Sequence, residues 1–418
     1  MAATLIVVDN KAAPPSDGES YPLYHQMVAL SAASNLDVLF VQHPGAPVPA
    51  ESDFPPGLRS LFVVPARLPA SKIGRACSEL FRGNPFFEVA ATVTPNEWPG
   101  ILQGRAYDLV YGYTARMGKV ALEVARALPG TPRRALCIHD ALTERCRFYR
   151  DIWPLVWYGP YNRLCYFRGL RRFYYGRVEG KLLSPFDLVI VQTATDRANV
   201  IADASAALDS RLVVATNGYR PELLNVAYNG ARSQRLLMVG SLSVVLFGRV
   251  LWFIKQVFLP ARRKLPELQL DMVGKISPEQ RRTLSTFPGV NVVGFVPELS
   301  DAFRDRAMLV SPTFMRNGFL NKVLDAMTAG MPCSGIGAFN GFEGFQNGEH
   351  GFEVQSADQW VALLTEVLTQ PERLEAVSRA GRMLVKDRFR WETTLQDFLR
   401  RMLPMEDGGA PPTAVRRP

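Results

Sequence analysis

Two short stretches hold the side chains best suited to chemistry. In residues 317–332 (NGFLNKVLDAMTAGMP) a glycine-bearing turn opens an apolar helix that stops at Gly330 and Pro332. Upstream, residues 308–312 (MLVSP) read as a buried strand, so the order is strand, loop, helix. A helix opening at the carboxyl end of a strand offers the backbone N–H groups around Gly318, Phe319 and Leu320, and a positive dipole end, to an anion such as a phosphate. Lys322 falls in the first turn, where its ammonium would meet the same phosphates. Asp325, one turn further on, is placed to take ribose hydroxyls through charge-assisted hydrogen bonds. The plainer alternatives are a solvated lysine at a helix start and a surface acid. The second stretch is Ile138-His139-Asp140, at the end of an apolar strand. Its carboxylate suits removal of a proton from a hydroxyl; a structural histidine is the alternative for His139.

Such residues need parallel sheets to position them. Residues 4–8 read as a first strand, 11–18 as a flexible loop, 21–33 as an amphipathic helix and 36–41 as a second strand. This alternation marks a parallel sheet with right-handed crossovers. Short apolar runs at 61–64, 108–111, 135–138, 187–192 and 212–215 continue it, and Asn217-Gly218 makes a turn. Residues 221–234 are polar and read as a linker. A second series follows, with strands at 236–239, 268–273 and 290–293, a helix over 250–258, the 308–332 stretch, a glycine-rich loop over 335–348 and a helix over 357–369.

Composition sets the outer limits. A chain of 418 residues, 47% hydrophobic and 21% charged, suits two globular domains and excludes wholesale disorder. A formal charge of +9 favours acidic partners: nucleotides, nucleic acid or an anionic membrane surface. The five cysteines lack zinc or redox spacing, so we expect reduced thiols in a cytoplasmic protein and no metal. No segment approaches the run of about 18–20 apolar residues that a membrane span needs, so the expectation is a soluble or peripheral protein.

The 317–332 stretch resembles the nucleotide-sugar loop of GT-B fold glycosyltransferases, especially the retaining family 4. That family carries Glu, seven residues, then a second Glu, where this chain has Asn317 and Asp325. The resemblance implies an α/β chain of GT-B architecture, two Rossmann-like domains facing across a cleft. The expected boundaries are an acceptor domain at 1–220, the linker, a nucleotide-sugar domain at 235–387, a closing helix at 388–404 that packs back on the first domain, and a disordered tail at 405–418. It implies a nucleoside diphosphate sugar as donor, with no cofactor. Asp17 and Gly18 fall where the family lines its acceptor site, His139 matches a histidine close to the transferred sugar, and Asn317 would steady that sugar. Residues 294–297 lie where the family grips the base.

The family's Arg and Lys after the first strand of the second domain are missing: Ser241 stands in the place of the Arg. Lys322, Lys275 and Arg249 are the nearby cations, with Arg249 expected to face away. Asp140 matches the place of a catalytic base in some inverting GT-B enzymes, so inversion is the alternative to the retention that the resemblance to family 4 favours. Residues 145–181 interleave arginines with aromatics, which suits an anionic membrane surface and a lipid-linked or glycan acceptor. Stacking on nucleic acid and a plain structural helix are the other readings, and no nucleic-acid module accompanies the charge. The rival for the chain as a whole is a catalytically inactive GT-B homologue that serves as a binding subunit of an active transferase.

Overall fold

The structure, a computed structural model, describes residues 1–15, 18–66, 98–151, 172–242 and 244–403. Strands rich in Val, Ile and Leu, separated by helices, must bury both faces, which is the condition for an all-parallel sheet. The described chain forms two compact units, each built on such a sheet. The first takes Met1–Cys146, Arg171–Asn217 and the closing segment from Trp391; the body of the second is Gly218–Arg390.

In the first unit the strands are β1 (Ala3–Val8), β2 (Asn35–Gln42), β3 (Ser60–Pro65), β4 (Leu109–Tyr113), β5 (Arg133–His139), β6 (Leu188–Val191) and β7 (Leu212–Val214). They lie in the order β3-β2-β1-β4-β5-β6-β7, so the order reverses between β1 and β4. Alternate residues feed opposite faces: Leu5 and Val7 enter one apolar cluster, Ile6 and Val8 the other. The helices that matter to the site are α1 (Ser20–Ala33), α2 (Leu142–Asp151), α3 (Arg172–Leu183) and α4 (Ala194–Asp203).

The second unit repeats the plan with β8 (Arg235–Val239), β9 (Gln269–Val273), β10 (Val290–Gly294), β11 (Met308–Ser311), β12 (Cys333–Gly335) and β13 (Phe352–Glu353). Their order is β10-β9-β8-β11-β12-β13, with the reversal between β8 and β11. Helix α5 (Val244–Phe253) follows β8 and α6 (Asn321–Thr328) follows β11. The α5 helix starts well before the expected 250, and a π-helical turn, Ile254–Phe258, continues it. Strand β12 lies at the start of what the sequence presents as a loop, because three residues give too short a run to recognise.

The polar stretch 221–234 is not a free linker. It folds into two short 3-10 turns, buries Leu223 and Val226 in the second unit's core, and the Tyr228 hydroxyl donates to the Ala307 carbonyl at 2.8 Å. The chain then returns to the first unit, where Trp391 stacks on His25 of α1 at 4.0 Å and Leu395, Phe398 and Met402 enter the core. Asp17, residues 152–171 of the arginine and aromatic run, and the tail at 405–418 lie outside the described residues. Among the described residues no helix is long and apolar enough to cross a membrane.

Candidate active site

The loops after β8 and β9 are laced together by backbone. Gly240 N–H donates to the Val273 carbonyl at 2.9 Å, and Leu242 N–H to the Lys275 carbonyl at 3.1 Å. Gly274 permits this approach: its φ is +137°, and a Cβ there would lie 2.1 Å from the Gly240 carbonyl oxygen. Ser241 and the Lys275 side chain stand exposed at this edge.

After β11 the chain turns at Gly318, whose φ of +70° is the left-handed region that favours glycine. Asn340 donates to the Gly318 carbonyl at 2.6 Å. Phe319 stacks on Phe342 at 4.7 Å, and Leu320 forms the N-terminal boundary of α6. Asn317 is buried at the turn. The opening of α6 is therefore held from below by aromatic packing and from the side by Asn340.

Two cations meet beside that opening. The Lys322 side chain keeps some exposure, yet its ammonium pKa is lowered to about 8, first by burial and then by the positive charge of Arg249. Lys322 has no hydrogen-bond or ion-pair partner among the described residues. Arg249 is buried, and its guanidinium donates to the Thr313 carbonyl in the loop after β11. The expectation that Arg249 faces away is thus corrected. With α5 beginning at Val244, Arg249 lies one turn before the fully buried Phe253 and shares its face. A lone cation in VVLFGRVLWF was the available signal.

Asp325 lies buried on α6, and Arg220 approaches it at 3.2 Å. Burial nevertheless wins, raising the carboxyl to about 7; Arg220 opposes the shift and Glu222 adds to it. Arg220 went unnoticed in the sequence because its partner is over a hundred positions away.

In the first unit the reversal between β1 and β4 carries a different cluster. Asp9, just past β1, accepts from Arg116 Nε at 2.9 Å and contacts His43 Nε2 at 3.0 Å. Arg116 also donates to Glu19, and Tyr113 Oη donates to the Glu19 carbonyl at 2.8 Å. Gly18 is exposed in the turn before α1.

One strand further along, His139 ends β5 with φ +61°, and Asp140 N–H donates back to the Ile138 carbonyl at 2.8 Å. That bond closes a tight γ-turn around His139, a strained conformation for a side-chain-bearing residue. Two buried carboxylates hold the turn's exit: Asp196 of α4 accepts from Ala141 N–H at 3.1 Å, and Glu179 of α3 from Leu142 N–H at 2.9 Å. Burial raises Glu179 to about 7, against the bonds from Thr143 and Leu142. Tyr113 packs edge-on against the His139 ring at 4.9 Å. Burial lowers the imidazole to about 4, although Asp140 opposes the shift, so His139 is neutral at physiological pH. Asp140 itself is paired with Arg145, whose Nε lies 3.0 Å from Oδ2 and whose terminal nitrogen reaches the other oxygen.

Most of the predicted residues thus fall into two local groups: Asn317, Gly318, Phe319, Leu320, Lys322 and Asp325 around α6, and His139 with Asp140 at the end of β5; Ser241 and Lys275 stand apart at the β8 and β9 edge, and Gly18 before α1. Residues 233–370 match the family model described as glycosyl transferases group 1. Comparison of the sequence with curated proteins finds no match. Among solved structures, the chain is similar to a sucrose-phosphate synthase from Thermosynechococcus elongatus, with TM-score 0.65 and 18% identity over 95% of this chain and 98% of that one. It is also similar to HepE of Anabaena in complex with UDP-glucose, with TM-score 0.62 and 13% identity over 95% of this chain and 98% of that one. A third similarity is to WaaG, a glycosyltransferase involved in lipopolysaccharide biosynthesis, with TM-score 0.58 and 15% identity over 97% of this chain and 100% of that one. The fold is that of GT-B glycosyltransferase structures, and the matched segment is similar to glycosyl transferases group 1. The second unit carries the region that matches the group 1 glycosyl transferase model, which supports sugar transfer in general terms.

Proposed function

We propose that the chain moves a sugar from a nucleoside diphosphate donor to a hydroxyl, with the donor's diphosphate seated on Lys322, Arg249 and the first turn of α6. The observation that carries this reading is Lys322, a half-buried, desolvated ammonium with no partner among the described residues, held beside the buried Arg249. Placing like charges together away from water is unfavourable unless an anion joins them. A leaving diphosphate gains negative charge as the glycosidic bond breaks, and preorganised cations stabilise that charge. Asp325 is the acceptor for ribose hydroxyls, with Arg220 holding it. The bound UDP-glucose of the HepE structure supports a nucleotide sugar as donor.

Because two side-chain cations and a helix terminus supply the stabilising charge, transfer is metal-independent and is expected to persist in a chelator. Retention of configuration is favoured over inversion. Arg145 occupies the Asp140 carboxylate through two hydrogen bonds, whereas a retaining enzyme uses the leaving phosphate. Asn317 and the Gly318 amide would then steady the sugar. The acceptor is a lipid-linked or growing glycan of polysaccharide assembly, reached at the cytoplasmic face of a membrane. The arginines and aromatics of 145–181 and the likeness to WaaG support this. Binding of the intact chain to anionic vesicles, with neutral vesicles as control, tests it.

The deciding experiment is a donor panel (UDP, GDP, ADP and dTDP sugars) read by thermal shift and calorimetry on the parent, Lys322→Ala and Asp325→Ala. A donor that binds the parent and not Lys322→Ala supports the site and names the base. Binding without turnover points to the inactive binding subunit. No binding by any donor sinks the reading.

A further inference from the structure

His139 carries two oddities beyond its neutral state. Its Nδ1 lies 3.2 Å from the side-chain nitrogen of Gln192, the residue just past β6. Its Nε2 is buried and has no hydrogen-bond partner among the described residues. A buried imidazole nitrogen without a partner is rare, because the desolvation of that group goes uncompensated. The strained γ-turn is a second unfavourable feature at the same residue. Just past the neighbouring strand, Thr114 repeats the pattern: φ is +78°, and its buried hydroxyl oxygen has no partner among the described residues. Adjacent strand ends with strained backbone and unpaired polar atoms are characteristic of a place where ligand oxygens belong.

The Gln192 contact decides what His139 can do there. The same Gln192 nitrogen lies 3.4 Å from the Asn217 Oδ1, so the amide nitrogen, not its oxygen, is directed at both acceptors. Gln192 is anchored in turn: its N–H donates to the His139 carbonyl at 2.7 Å, and its own carbonyl accepts from the Thr216 hydroxyl at 2.9 Å. An amide N–H donating to Nδ1 makes that nitrogen the acceptor. In a neutral ring the proton then resides on Nε2.

We propose that Gln192 is a positioning residue that locks His139 in the Nε2-protonated form, so that His139 donates a hydrogen bond to a substrate oxygen and does not act as a base. The role in transfer rests on the glycosyltransferase reading above; the tautomer does not. No proton moves at His139 during the reaction. The ring offers one fixed donor to an oxygen of the sugar or acceptor, and Gln192 prevents it from turning into an acceptor.

The test is NMR of the full chain labelled with ¹⁵N-histidine. The protein has four histidines, and the His139 signals are assigned by their loss in His139→Gln. The parent should show the Nε2–H tautomer. In Gln192→Glu a carboxylate replaces the donor, so the proton should move to Nδ1 or the ring should become charged. Transfer by that variant should lose about tenfold in kcat, the worth of one hydrogen bond, with donor KM within about twofold. The other three histidine signals and the melting temperature report whether Gln192→Glu is folded; if it is not, the parent spectrum alone decides. An Nδ1–H tautomer in the parent, or an unchanged tautomer in folded Gln192→Glu, overturns the proposal. Unchanged kcat despite a moved proton overturns the donor role. Should the parent bind no nucleotide sugar, the tautomer result still stands or falls by itself.

Discussion

The two units share a topology and differ in how they treat charge at the reversal of strand order. In the first, Arg116 reaches the gap between β1 and β4 and meets two carboxylates of its own chain, Asp9 and Glu19. In the second, Arg249 reaches the gap between β8 and β11 and donates to a carbonyl, while Lys322 beside it meets no carboxylate among the described residues. The first gap is therefore filled by the protein's own anions, and the second is where we propose that a foreign one binds. A doubly wound sheet provides a crevice at its switch point, but the crevice does not specify an anion. On the proposed reading, the Lys322 ammonium does.

The comparison breaks most visibly at Lys322. Replacement by Met should weaken donor binding by about 100-fold, the loss expected when one member of a desolvated charge pair is truncated, as read by calorimetry. The same variant should melt higher than the parent without ligand, because a buried ammonium without a partner is removed. A lower melting temperature for ligand-free Lys322→Met would show that the lysine is structural.

Arg116→Met should give the opposite result. It leaves the buried Asp9 without its arginine and with His43 alone beside it, at a cost of about 3 kcal/mol in unfolding free energy, while donor affinity stays within about twofold. The Asp9 carboxyl has a lowered pKa: burial opposes the shift, and the bonds from His43 and Arg116 outweigh it. Its stabilisation is present above the ordinary carboxylate pKa and is lost as pH falls through the folded value. Acid unfolding should accordingly begin at higher pH in a destabilised Arg116→Met. Urea titrations at several pH values check both statements.

A smaller effect should appear in the pH dependence of binding. With Lys322 near 8 in the free protein, the ammonium is lost as pH rises through that value. Donor affinity should fall above about pH 8, approaching tenfold per pH unit for one proton, and the slope should vanish in Lys322→Met. The lowered pKa also fixes the sign for stability: the unfolded chain holds this proton up to a higher pH, so the penalty is complete below 8 and fades as pH rises towards the ordinary lysine value. Asp325 is the converse. Its carboxyl near 7 is raised, so its contribution worsens as pH rises from the ordinary Asp value through 7. Asp325→Asn should therefore raise the melting temperature at pH 8 more than at pH 4, and lose about tenfold in donor affinity.

The smallest effect should be at Lys275. Its side chain is exposed where Lys322 is half-buried, and an exposed charge is screened by water and salt. Lys275→Ala should change donor affinity by at most about twofold at physiological salt; a loss like that of Lys322→Met would mean that the anion site extends to the β9 edge.

Much of this was legible along the chain. Runs such as LIVV, LVIV and MLV have the length and composition of buried parallel strands, and Gly318 followed by an apolar helical period marks the opening of α6. The residues that remained hidden act across distance. Arg249 looked like a surface cation because the helix start at Val244 carries no capping signal, and one missed turn moves a side chain to another face. Gln192 gave no sign at all: its meaning comes from His139, 53 positions earlier, and from the parallel register that sets β6 beside β5. Residues 221–234 read as a linker on polarity, yet Leu223, Val226 and Tyr228 are enough to dock them.

What the sequence by itself determined was the local order: strand, glycine turn, helix, twice over, with Lys322 and Asp325 one turn apart on α6. These follow from periodicity and backbone sterics, which act between near neighbours. What only the tertiary structure decided was the charge state and partnership of each group. Whether Lys322 loses its proton easily, whether Asp9 is satisfied, and which nitrogen of His139 bears hydrogen depend on burial and on partners brought together from distant strands, because desolvation and hydrogen bonding are set by the atoms around a group in space.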